Sequence, residues 1–181
     1  GGSRLEFIEF VNIANEPLQL DGLRLLQGSP AGEFVFGEKT LDPGGHVLVV
    51  ADRPAFLAHY AEAPASKIAG QWTSGKLSNG GENITLADKD GNLVLHFRYD
   101  DDNGWPGRAA GKGSTLEVLD PAAKLHDPRN WRSSTQYGGT PGTTEAEPGA
   151  TIVYDKPAPV FRSNERPNYE SFDDIRKEIR K

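Results

Sequence analysis

The sequence predicts an all-β sandwich, and three observations carry that expectation. Short apolar runs recur at roughly 8–12-residue spacing with turn signals between them. The 21 glycines and 13 prolines stand between those runs rather than in one tract, which is the composition of a turn-rich β protein. The stretch from Leu77 to Tyr99 reads as a β-hairpin, because Ile84-Thr85-Leu86-Ala87 and Leu93-Val94-Leu95-His96-Phe97-Arg98-Tyr99 flank the turn-forming Asp88-Lys89-Asp90-Gly91-Asn92. Leu93, Leu95, Phe97 and Tyr99 fall on one face of the second strand and His96 and Arg98 on the other, the period of a half-buried sheet.

Taken in order, Leu5 to Ile13 is the first strand, and its apolar residues on both faces suggest a central position. Leu18-Gln19-Leu20 and Leu23-Arg24-Leu25 alternate around Asp21-Gly22, and Phe34-Val35-Phe36 follows a Gly/Pro-rich loop. Asp42-Pro43-Gly44-Gly45 is a tight turn, proline fixing φ at one position and glycine permitting positive φ at the next. It leads into the strongly apolar run from His46 to Ala51. Asp52 to Tyr60 is the one helical interruption: Asp52 can cap the first amides, Pro54 is tolerated in the first turn, and Phe56, Leu57 and Tyr60 share a face. Thr115-Leu116-Glu117-Val118-Leu119 is a further strand. Asp127 to Ser134 and the Gly138-Gly139-Thr140-Pro141-Gly142 turn end the β region.

A composition shift near Thr143 to Gly149 marks the domain boundary. We divide the chain into a sandwich at residues 4–145, an extended linker at 146–168 that adds a strand at 151–154, and a short helix at 169–181. Ser171 and Asp174 form a capping-box pattern, and Phe172, Ile175 and Ile179 make a narrow apolar stripe. A helix of about ten residues is marginal alone. The stripe is therefore an expected interaction surface, docking on the sandwich or on a partner.

Composition excludes several classes of function. A net charge of −6 argues against nucleic acid and anionic membranes, which need clustered Lys and Arg. The absence of cysteine removes disulfides and thiolate metal sites without fixing a compartment. The chain has no methionine and opens Gly1-Gly2-Ser3, which reads as an excision point, so a missing leader carries no information. No apolar run approaches the roughly 18 residues that span a bilayer, so membrane insertion is not expected.

The candidate motifs are weak. Asp88 to Asn92 starts like a calcium loop, but its glycine is fourth rather than sixth and the twelfth residue is Tyr99, so a hairpin turn is the expectation. Gly107 to Thr115 resembles a phosphate loop, yet Gly113 follows Lys112 and position 106 is proline. His46, His59, His96 and His126 lie on different elements without metal-ligand spacing. No nucleophile elbow is present. Asp100-Asp101-Asp102-Asn103 is an acidic run whose oxygens suit calcium, though consecutive side chains point apart and a solvated loop explains it. Of the three tryptophans, Trp131 is expected to cap a sheet or enter the core, and Trp105, beside the acidic run, to be the most exposed of the three. Trp105 with Asp101 and Asp102 is the candidate glycan site.

With these residues placed, the chain resembles the lamin tail domain family. The segments that carry the likeness are Phe7 to Asn12, Leu18 to Leu25, Leu41 to Gly45, Leu77 to Glu82, Asp127 to Arg132 and Gly139 to Gly142, in family order across residues 5–142. The resemblance is to bacterial members rather than to lamins, because no coiled-coil rod or basic flank accompanies these segments. It implies an immunoglobulin-like β-sandwich that binds or tethers, often beside catalytic domains, within larger extracellular, cell-surface or periplasmic proteins; since no catalytic pair is marked in the sequence, neither catalysis nor a cofactor is expected. Family members begin with another short strand before the segment that starts here at Leu5. Ile152-Val153-Tyr154 is expected to fill that edge, with a strand supplied by a partner chain as the alternative.

Three functions follow as expectations. The first is a non-catalytic binding or tethering module with a protein or glycan partner. The second is a structural spacer or assembly element that presents the C-terminal helix to an adjacent enzyme domain, or dimerises through that helix or by strand exchange. The third is a metal-dependent enzyme or calcium site on the 100–103 loop.

Overall fold

Val47, Leu48, Val49 and Val50 are all essentially excluded from solvent, so the strand that carries them has both faces covered. A computed structural model, which describes residues 2–27 and 32–143, shows what covers each face. In chain order the elements are β1 (Phe7–Val11), β2 (Leu18–Gln19), β3 (Arg24–Gln27), β4 (Gly32–Val35), β5 (Thr40–Leu41) and β6 (His46–Val50). The helix α1 (Arg53–His59) follows, then β7 (Ile68–Gln71), β8 (Glu82–Ala87), β9 (Leu93–Tyr99), β10 (Leu116–Val118) and β11 (Trp131–Ser133). Two larger sheets have the orders β1-β6-β7 and β4-β3-β8-β9, with small pairs β2-β5 and β10-β11 beside them. The chain is thus mostly β-strands with one α-helix among the described residues, consistent with an immunoglobulin-like sandwich.

Val47 and Val49 join Leu25, Phe36, Trp72, Ile84 and Leu86 in the main core, while Leu48 and Val50 meet Phe56, Ala63 and Ile68 on the opposite side. An apolar run with no alternation is what burial on both faces requires. Where a central place is expected for β1, it pairs with β6 alone among the described residues. Its two apolar faces have another cause. Ile8 and Phe10 face the core, whereas Phe7 sits edge-on to Phe56 at 5.6 Å and to Tyr60 at 5.9 Å.

α1 exists because parallel neighbours need a crossover. β6 and β7 pair in parallel, and the segment between them contains the helix. Asp52 Oδ1 accepts from the Ala55 amide at 2.9 Å, Pro54 occupies the first turn, and Phe56 is wholly buried. The second sheet is antiparallel throughout; Leu25 lies opposite Leu86, and Ile84 opposite Phe97. Asp88 Oδ1 accepts from the amides of Asp90 and Asn92 at 2.9 and 2.8 Å and shapes the hairpin turn. A register shift at Leu86/Ala87 marks a bulge.

Polar closures hold the ends. In the Asp42–Gly45 turn, Gly44 has φ 70° and Gly45 N donates to Asp42 O at 2.8 Å, the geometry of a type II turn with proline second. Asn12 is buried; its Nδ2 donates to Glu16 O and Leu41 O at 2.9 Å each, and its Oδ1 accepts from Ala14 N at 2.9 Å. Gly142 N donates to Glu9 Oε1 at 3.1 Å, Lys67 Nζ donates to Gly142 O, and Tyr60 OH donates to Gly138 O at 2.8 Å. The last described turn is thereby tied to β1 and α1. The expected linker, the strand at 151–154 and the helix with Phe172, Ile175 and Ile179 lie outside the described residues. No helix among the described residues is long and apolar enough to cross a membrane.

Candidate functional site

At the end of β9 the chain turns sharply. Asp100 Oδ1 accepts from the Asp101 amide at 2.9 Å and Oδ2 lies 3.4 Å from Arg98 Nε. That amide first, and the guanidinium after it, hold the Asp100 carboxyl below the usual carboxylate range. Trp105 N then donates to Asp102 O at 2.9 Å across Asn103 and Gly104, which have φ 50° and 94°. Two positive φ values inside a four-residue hydrogen-bonded turn are the type I′ pattern that favours Asn-Gly. Asn103 Nδ2 also donates to Asp102 Oδ1.

The turn folds Trp105 back onto Trp131, with ring centroids 5.7 Å apart and planes at 37°. Trp131 in turn stacks on Phe97 at 5.3 Å and 22°, and Phe97 packs against the main core. Trp131 Nε1 donates to Leu125 O at 2.7 Å, so its polar edge is satisfied. The three rings form a ladder from core to surface. Trp72 stands apart, buried in the core.

Of the residues singled out from sequence, Asp101, Asp102 and Asn103 are exposed and Trp105 is half-buried on the same loop. The loop brings them to one end of the sandwich without converging the carboxylates. Among the described residues no group of three or more His, Asp or Glu side chains is placed to hold a metal ion. Chemically, the arrangement offers an indole face for an apolar surface and flanking carboxylates that accept hydrogen bonds. Beside it, Arg129 donates to both Asp127 oxygens, at 3.0 and 2.7 Å, and draws that carboxyl down to about 2.

The Leu77–Glu82 segment holds a cluster that the sequence did not reveal. Leu77 N donates to Glu6 Oε2 at 2.7 Å and Ser78 N to Glu82 Oε1 at 3.2 Å. The Tyr99 hydroxyl lies 2.8 Å from Ser78 O and 3.0 Å from Glu82 Oε1. Burial raises the Glu6 carboxyl, and burial with the Glu82 charge raises the Tyr99 phenol. These carboxylates are engaged with loop amides, which makes them structural. No spacing in the sequence pairs Glu6 with a loop more than seventy residues away. Gly81 has φ 87°, and a Cβ there would overlap the Tyr99 carbonyl. An open cleft of about 220 Å3, lined by Arg4, Asp52, Thr73 and Lys76 among others, lies near the start of β1 and carries the Arg4–Asp52 ion pair at 2.8 Å.

Comparison with known families places this architecture. A family model described as the Lamin Tail Domain matches residues 1–101, from the first turn through β9 into the acidic loop. The match stops before Asp127–Arg132 and Gly139–Gly142, two segments that the resemblance had included. No curated protein matches the chain. Matched over more than half of its length, the chain belongs to the lamin tail domain family, a family of immunoglobulin-like and generally non-catalytic domains.

Proposed function

We propose that the chain is a binding or tethering module of a larger exported protein, and that the loop from Asp101 to Trp105 is its contact surface. The observation that carries this reading is the position of Trp105, half-buried against Trp131 and flanked by two exposed carboxylates. A supported indole loses little freedom on binding, and its face suits the C–H face of a sugar ring while Asp101 and Asp102 accept its hydroxyls. A glycan is the ligand class this chemistry fits best. The exported setting rests on the resemblance to bacterial surface and secreted members.

Tryptophan fluorescence titrated across a panel of neutral oligosaccharides tests the proposal. The expected result is a saturable change for at least one glycan that Trp105→Ala abolishes without loss of fold. An unresponsive panel, or binding indifferent to Trp105→Ala, contradicts it. Repeating the titration with and without millimolar calcium decides whether Asp100, Asp101, Asp102 and Asn103 also take a cation.

A second reading is a spacer or assembly element. The closure of Gly142 on Glu9 and Lys67 favours it, because it fixes where the chain leaves the described body. Phe172, Ile175 and Ile179 would then serve a partner or a second copy. Light scattering of the chain with Phe172→Asp and Ile175→Asp is expected to give a smaller species than the parent chain; identical masses remove the dimer.

A further inference from the structure

We infer that Asn103-Gly104 is a site of spontaneous deamidation and isoaspartate formation, the one Asn-Gly or Asp-Gly pair that the fold leaves chemically open. The sequence contains four such pairs: Asp21-Gly22, Asn79-Gly80, Asp90-Gly91 and Asn103-Gly104. In each, the nucleophile for ring closure is the glycine amide nitrogen, and glycine has no side chain to hinder its approach. Three of the four amides are tied. Gly22 N donates to Phe36 O at 3.0 Å, Gly80 N to Ser78 Oγ at 3.2 Å and Gly91 N to Asp88 O at 3.1 Å. Gly104 N donates to nothing among the described residues.

The remaining features of the site point the same way. Asn103 and Gly104 are both exposed, so hydroxide and water reach the amide and the carboxamide. In the reaction the deprotonated Gly104 amide nitrogen attacks Cγ of Asn103. The Cγ–Nδ2 bond breaks, and Nδ2 leaves as ammonia after taking up a proton from solvent, giving a five-membered succinimide. Water then opens the ring at one of its two carbonyls. Cleavage of the new N–Cγ bond gives aspartate; cleavage of the original peptide C–N bond gives isoaspartate. Only water is consumed and only ammonia released. Either product adds a negative charge beside Asp101 and Asp102, and isoaspartate also lengthens the backbone inside the turn closed by Trp105 N and Asp102 O. The loop that presents Trp105 is therefore the part of the surface that changes with age.

Peptide mapping by mass spectrometry of the full chain, aged in mildly alkaline buffer, tests the inference. Its internal control is the same chain aged in denaturant. An amide that must first break a hydrogen bond reacts only through the opened state, so in the folded chain Asn103 is expected to deamidate about tenfold or more faster than Asn79. In denaturant the two rates are expected to converge within a few-fold, since both are then unstructured Asn-Gly pairs. Equal rates in the folded chain, faster loss at Asn79, or a preference for Asn103 that persists unchanged in denaturant each overturn the inference.

Discussion

Asn12 and Glu6 show how single side chains set local geometry here. Asn12 is buried with all of its side-chain contacts going to backbone groups of three separate residues. Replacing it with alanine leaves those groups without partners, at a cost of about 1–3 kcal/mol for each that cannot reach water. Urea unfolding of Asn12→Ala is expected to show a loss of at least about 2 kcal/mol at an unchanged slope. Glu6 acts through pH. Its carboxyl is raised above the ordinary value of 4.5 when folded, so the folded state holds its proton longer than the unfolded chain does. The stability that Glu6 contributes is complete below that ordinary value and is lost as pH rises through the folded one. Asp127 has the opposite sign: its contribution is present above the ordinary carboxylate range and is lost as pH falls towards about 2. Melting temperatures of Glu6→Gln across mildly acidic to neutral pH are expected to decline less than those of the parent, since the amide oxygen still accepts from Leu77 N. An equal decline shows that Glu6 is not the group responsible.

At the scale of elements, legibility followed burial. α1 could be read because Asp52, Pro54 and Phe56 each do locally what their chemistry dictates, and the hairpin because Asp88 and Gly91 shape its turn locally. β7 could not, since Ala69 and Gly70 carry no alternating apolar signal. Gly70 is small because the Phe34 ring occupies the space of its missing Cβ, a contact between strands far apart in sequence. The sequence of β1 shows two covered faces without showing what covers them, which is the main core on one side and Phe56 of α1 on the other. Phe56 joins β1, β6 and α1, so Phe56→Ala is expected to cost about 3–5 kcal/mol in denaturant unfolding. A loss under about 1 kcal/mol means that the helix side of β6 contributes little.

For the molecule as a whole, the family match ends at residue 101, but the structure continues to build on the same core. The segment beyond it supplies Trp131, which stacks on Phe97, and the turn that closes Gly142 onto Glu9. The candidate site straddles this junction. Its acidic loop was legible, because consecutive Asp and a following Trp are visible in any reading. Its support was not, because Trp105, Trp131 and Phe97 meet only through tertiary packing. The central claim is a division of labour within that ladder, Trp131 holding the fold and Trp105 serving the surface. Thermal and denaturant unfolding of Trp131→Ala against Trp105→Ala tests it most directly. The expected result is a loss of about 3–5 kcal/mol for Trp131→Ala and no more than about 1.5 kcal/mol for Trp105→Ala, the size of one aromatic pair. Equal losses, or a larger one at Trp105, contradict the claim and make Trp105 part of the core.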